Sequence, residues 1–176
     1  MSIHTEHPFL TPESDRDPVR RARGRLNAAV TIWTTGRGHE RAGLTVSSMI
    51  IAEGRPAQVI GLVNPDSALG EVIEENRTLV VNVLGAQDRT VSDVFADRTP
   101  SPGGKFRTGS WTDTPWGPAL VGVPAWIGAR LLDGPPLTAG WATLVRAEIE
   151  KVHLSALVAG DQALGYLRGR YHFPDW

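Results

Sequence analysis

Cysteine is absent from the 176 residues, so disulfides, thiolate metal ligands and thiol nucleophiles are all excluded. No stretch approaches the ~20 consecutive apolar residues that a membrane-crossing helix needs. The N-terminal MSIHTEHPFLTPESDRDPVRR has no apolar core of the kind a secretory signal carries. The expectation is a soluble, cytoplasmic protein. Charge of one sign is lacking too: 18 basic side chains face 19 acidic ones, a net charge of −1. That balance gives no footprint for a nucleic-acid backbone or an anionic membrane. The five histidines, at positions 4, 7, 39, 153 and 172, never pair at metal-ligand spacing, so no metal site is expected. Gly103-Gly104-Lys105-Phe106 lacks the spacing and the hydroxyl of a phosphate-binding loop. Neither a strand-G-x-G-x-x-G-helix unit nor a G-x-S-x-G elbow is present. If the protein is an enzyme, a bound organic cofactor is the economical source of its chemistry.

What is present is mainly strand-forming. Residues 1–18 read as an N-terminal arm, loose at first, with a helix start at Thr11-Pro12-Glu13. Residues 19–176 form one domain, and a chain of this size buries roughly 70% of its unfolded surface. The segment to Leu26 is so polar that a helix there lies exposed. Ala28–Thr35 is rich in β-branched residues, Gly36-Arg37-Gly38-His39 signals a turn, and Ala42–Ala52 is the natural return strand. Gln58–Val63 and Thr78–Leu84 are further strands. Between them lies a helix capped by Asp66 or Ser67 and marked by the spacing of Leu69, Val72 and Ile73. Val91, Val94 and Phe95 mark a second short helix. Residues 99–118, dense in proline and glycine, read as a long structureless loop of the kind that is functional or mobile. Strands resume at Gly122–Leu132, Thr143–His153 and near Ala163–Phe173. Trp33, Trp111, Trp116, Trp126 and Trp176 are core or interface candidates. Strands broken by two or three short helices argue for a mainly β, barrel-like fold, and closing the sheet removes exposed edges.

The order of these segments is familiar. AVTIWTTGRGHERAGLTVSS resembles the opening of flavin reductase-like domains, which are FMN-binding split β-barrels of Greek-key-like form. QVIGLVNPDS resembles the strand and polar turn that follow, and TLVVNVL with QDRTVSDVFADR resembles the next strand and helix. Gly104-Lys105-Phe106 is similar to a loop motif of the family, and LGYLRGRYH to its closing segment. The likeness spans roughly residues 20–173. It implies a homodimer with FMN, or FAD, near the interface, and NAD(P)H as co-substrate. It also implies a possible monooxygenase component as recipient of reduced flavin. By the same resemblance Thr45, Val46, Ser47 and Ser48 line the flavin ring, an apolar wall followed by hydroxyls. The other reading of the serines is a solvent-facing pair. Ser67 falls where the family places a phosphate-binding hydroxyl; it is equally a helix cap. Asn64 reaches the ribityl chain or holds the turn. Lys105 meets the phosphate or solvent, and Phe106 covers a ring or anchors its loop.

Two positions depart from the family pattern. Leu69 stands where a second phosphate hydroxyl is common. Gly140-Trp141-Ala142 stands where many members carry Gly-Asp-His, so the histidine near flavin and nicotinamide is missing. Trp141 either stacks on a ligand ring, fills the nicotinamide position, or packs in the core. Arg168, Arg170 and His172 alternate and so share one strand face. Of these, Arg170 and His172 are the candidates for nicotinamide binding, against a solvated strand. The leading expectation is an NAD(P)H-dependent flavin reductase with no catalytic acid or base. The alternatives are an FMN electron-transfer or carrier protein without nicotinamide activity, and an F420-using relative. The last calls for a cationic groove that the scattered basic residues do not single out.

Overall fold

The computed structural model describes residues 17–156 and 162–173. The proposed helix start at Thr11-Pro12, most of the arm, and Trp176 lie outside the described residues. In chain order the elements are α1 (Pro18–Arg23), β1 (Ala28–Ala29), β2 (Thr31–Thr35), β3 (Ala42–Val46), β4 (Met49–Ala52), β5 (Gln58–Val63), α2 (Ala68–Asn76) and β6 (Thr78–Val83). There follow α3 (Arg89–Phe95), β7 (Trp111–Thr114), β8 (Gly117–Leu120), β9 (Ala125–Leu131), β10 (Leu137–Ala139), β11 (Ala142–Leu154), β12 (Gly165–Leu167) and β13 (Arg170–His172).

The main sheet runs β3-β2-β6-β9-β11-β5-β4, with β10 added alongside β11. Its two terminal strands, β3 and β4, are consecutive in the chain and separated only by Ser47 and Ser48. A two-residue link between the first and last strands of a sheet forces that sheet to curl on itself. Hence the expected single strand Ala42–Ala52 is two strands, broken at the serines: β3 pairs with β2, and β4 with β5. The Leu62 amide donates to the Ser48 carbonyl at 2.9 Å across this seam.

The barrel interior holds Trp33, Val46, Val59, Val63, Leu79, Ile127 and Val145, and α2 closes it with Leu69 and Ile73. Leu69 is wholly buried. Its side chain therefore packs in the core. A second apolar cluster covers the outer face of β2. It contains Val30, Ile32, Val94, Phe95 and Leu164, with Phe106, Trp111, Tyr166 and Tyr171 packed against it. Buried on both faces, β2 has the near-continuous β-branched and aromatic content that such a strand needs. Asn82 in the centre of β6 satisfies the buried polarity. Its amide nitrogen donates to the Ile32 carbonyl at 3.0 Å and its oxygen accepts from the Leu120 amide at 2.7 Å, which ties β8 to the barrel.

Residues 99–118 are not a structureless loop. They contain a helical turn at Lys105–Arg107 and the β7–β8 hairpin. The closing segment is also a hairpin: β12 and β13 turn at Arg168-Gly169, with Arg168 at φ 50°.

Candidate functional site

A cleft of about 1040 Å³ opens beside the seam of the barrel, which matches the upper size of small-molecule sites, about 1,000 Å³. Thr45, Ser47 and Ser48 line it, together with Met49, Ile50, Leu62 and Leu144. Gly61 lines it as well. A side chain at that position would meet Trp33, with a Cβ 2.4 Å from its ring, so the buried indole is bought at the cost of bare backbone in the cleft wall. The opposite side is formed by α1 with the loop after it, and by Arg98, Tyr166, Arg168 and Tyr171.

α1 buries no residue, so local and polar contacts define it. The Asp17 carboxylate caps it by accepting from the Val19 and Arg20 amides at 2.9 and 3.1 Å, and Pro18 occupies the first turn. The Arg168 amide donates to the Gly24 carbonyl at 2.7 Å, and the Arg23 guanidinium donates to Ser48 Oγ at 3.2 Å. These bonds hold the helix end between the closing hairpin and the seam.

The cleft is cationic. Arg20, Arg21, Arg23, Arg25, Arg98 and Arg168 all line it, and no carboxylate does among the described lining residues. Even charge over the whole chain conceals this concentration, and the expectation that basic residues single out no groove is corrected here. The signal was legible as the run PVRRARGR, where four arginines fall within one helix and its exit. Arg98 is fixed by its neighbours: it donates to the Tyr166 hydroxyl, stacks 4.9 Å from the centre of that ring and lies 3.6 Å from Asp93. The Tyr171 hydroxyl lies 2.8 Å from Asp93 Oδ1 and 2.9 Å from Ser92 Oγ. Burial pushes the Tyr171 phenol above its ordinary value, so it stays a neutral hydrogen-bonding group at physiological pH.

The structure gathers some of the sequence-derived candidates and separates others. Thr45, Ser47 and Ser48 reach the cleft. The Thr45 hydroxyl is already donated to the Ser92 carbonyl at 2.7 Å, and Val46 points into the barrel core. Asn64 holds its turn, with Oδ1 accepting from the Asp66 amide at 3.1 Å. Ser67 caps α2: Oγ accepts from the Gly70 amide at 3.1 Å and donates to the Asn64 carbonyl at 2.6 Å. Lys105 pairs with Asp97 at 2.7 Å. Phe106 packs edge-on to Phe95 and Trp111, with ring centres 5.1 and 5.0 Å away. None of these four lines the cleft. Trp141 is neither core nor cleft: it is 100% exposed in the β10–β11 turn. Arg168, Arg170 and His172 do not share a strand face, because Arg168 sits in the hairpin turn. Arg170 and His172 lie outside the cleft, where His172 Nε2 meets Asn27 Oδ1 at 2.6 Å.

A family model described as flavin reductase like domain matches residues 23–174. The chain belongs to the flavin reductase-like family. Among curated relatives, the FMN reductase (NADH) RutF of Ancylobacter novellus is 31% identical over 162 residues, spanning 92% of this chain and 86% of that protein. A crystal structure from Haemophilus somnus assigned to the flavin reductases superposes with a TM-score of 0.78 at 26% identity, covering 89% of this chain and 97% of the other. The flavin reductase of styrene monooxygenase from Pseudomonas putida shares the fold, with a TM-score of 0.76 at 18% identity over 91% of this chain and 99% of the other. Among the described residues of this family member, no helix is long and apolar enough to cross a membrane.

Proposed function

We propose that the chain is a flavin reductase that transfers hydride from NAD(P)H to FMN within this cleft. The observation that carries the assignment is the composition of the cleft wall at the seam. An apolar surface suited to a flat ring meets serine hydroxyls on one side and guanidinium groups on the other, in a member of the flavin reductase-like family. Relatives named FMN reductase (NADH) support FMN and NADH as the pair. When bound, the flavin supplies the hydride acceptor, and the protein's part is to hold donor and acceptor in contact.

The chain's own residues are suited to that part. Met49, Ile50 and Leu62 give the ring an apolar bed. Ser48 Oγ accepts from Arg23, which leaves the serine proton to be donated to a ring carbonyl. The cleft's basic wall meets phosphate, and no side chain is required to act as general acid or base. Ala142 in place of the family's histidine is compatible with this chemistry, since proximity rather than proton donation drives hydride transfer.

A monooxygenase component that consumes reduced flavin is the proposed partner, in line with the styrene monooxygenase reductase among the structural neighbours. A homodimer is proposed on the exposed apolar strand β4, and a cytoplasmic setting on the cysteine-free composition. The carrier alternative leaned on Trp141 filling the donor position, and Trp141 does not line the cleft. The deazaflavin alternative asked for a cationic groove, which is present, but the relatives' named substrate, FMN, favours flavin. The deciding experiment is anaerobic mixing of protein, FMN and NADH or NADPH, followed near the flavin absorption band at about 450 nm. Bleaching that saturates with nicotinamide is expected. Tight flavin binding without bleaching by either nucleotide sinks the reductase assignment.

A further inference from the structure

The residues expected to hold phosphate, Ser67 and Lys105, are committed to a helix cap and to an ion pair away from the cleft. The cleft nonetheless has an anion-binding wall of its own. Four arginines of α1 and its exit, Arg20, Arg21, Arg23 and Arg25, line the same space as Arg98 and Arg168. With 18 basic and 19 acidic residues in the chain, six arginines on one cleft without a lining carboxylate is a strong local excess. Like charges gathered around one space repel, and an anion between them relieves that repulsion. Arginine is also the side chain best shaped to grip phosphate, through paired N–H donors in a rigid plane.

Three features show that this wall is built into the fold. The Arg168 amide ties the hairpin turn to the Gly24 carbonyl at the end of α1. Arg98 is clamped by the Tyr166 hydroxyl, the Tyr166 ring and Asp93, so its charge is presented in one place with little entropy left to lose. Arg23 reaches across to Ser48, which sets the basic wall directly against the seam.

We infer that the arginines of α1 and its exit, with Arg98 and Arg168, form the subsite for the phosphate or pyrophosphate of the bound nucleotide, and that they determine its selectivity for phosphorylated ligands. The inference rests on the proposed nucleotide-binding function of the cleft. The same chemistry fits the phosphate of the flavin and the pyrophosphate of the nicotinamide dinucleotide, so the experiment includes probes for both.

The test compares the wild-type chain with a variant carrying R20Q, R21Q and R25Q, which leaves the Arg23–Ser48 bond in place, glutamine being close to arginine in helix propensity. A second variant, R98Q, changes the clamped arginine alone. Dissociation constants are measured by flavin fluorescence quenching for riboflavin and FMN, and by calorimetry for ADP-ribose, each at low and high salt. The wild type is expected to bind FMN or ADP-ribose with a clear salt dependence, and FMN about tenfold or more tighter than riboflavin if the flavin phosphate is the occupant. Both variants are expected to lose that preference while riboflavin affinity holds. Loss confined to ADP-ribose also supports the subsite and assigns it to the dinucleotide. If the variants weaken riboflavin and FMN equally, or leave FMN and ADP-ribose unchanged, the subsite is overturned while flavin binding stands. A wild-type chain that binds neither flavin nor ADP-ribose overturns both the subsite and the function beneath it.

Discussion

The Ser67 hydroxyl donates to one backbone group and accepts from another, which gives it the work of a helix cap. Replacing Ser67 with Ala is expected to cost about 1 kcal/mol through the lost N-cap, read by urea unfolding, with FMN affinity unchanged. A drop in FMN affinity at intact stability would restore the phosphate role. Asp88 makes a second prediction. Burial pushes its carboxyl above the ordinary range, more than the Gly85 amide donating to it at 2.8 Å pulls it down. The folded chain therefore holds that proton more tightly than the unfolded chain does. This carboxyl's contribution to stability is present below the ordinary carboxylate pKa of about 3.9 and declines as pH rises through the raised value. Asp88→Asn keeps an acceptor for Gly85 and carries no charge. Its melting temperature is expected to exceed that of the wild type near neutral pH, and the gap to narrow on acidification. A gap that widens toward low pH would show that the carboxylate charge stabilises this site. Neither residue announces its role in the sequence: Ser67 fits a cap and an anion site alike, and nothing local marks Asp88 as buried.

At the scale of elements, the sequence reading succeeded where periodicity had a single solution. β5 lies at the expected Gln58–Val63, and α2 begins after the expected cap. It failed where a tertiary partner set the break. Ala42–Ala52 has unbroken strand character, and only the crossing from one end of the sheet to the other divides it at Ser47-Ser48. Residues 99–118 carry turn formers throughout, yet Trp111 and Phe106 find the apolar face of α3, and Asn82 receives the backbone of Leu120. Phe106 thus has a testable structural duty. Phe106→Ala is expected to lower stability by roughly 2 kcal/mol, under the value for a fully buried phenylalanine because the ring is half-buried. Flavin affinity should hold, since the side chain does not face the cleft. A variant with wild-type stability and weakened flavin binding would return Phe106 to the role of ring cover.

At the scale of the molecule, β4 is the terminal strand of the main sheet and carries Ile50 and Ile51 at 62% and 50% exposure. Adjacent apolar side chains on an open strand edge invite pairing with another surface. Ile51→Lys places charge there and is expected to convert a wild-type dimer to monomer in size-exclusion chromatography with light scattering. A wild type that is monomeric at every concentration tested removes the proposed dimer. The sequence by itself determined the mainly β class, most strand and helix positions, the family, and the absence of cysteine. These follow from local composition, from period-2 and period-3.6 patterns, and from motif order. The tertiary structure alone decided which candidates meet. It brought Ser47 and Ser48 to the barrel seam, turned Val46 inward, and left Ser67, Lys105 and Phe106 outside the cleft. It also gathered six arginines from three separate segments around one space. The physical reason is that charge and hydroxyl groups act through distances of a few ångströms, and such distances between remote segments exist only once the sheet has curled and closed.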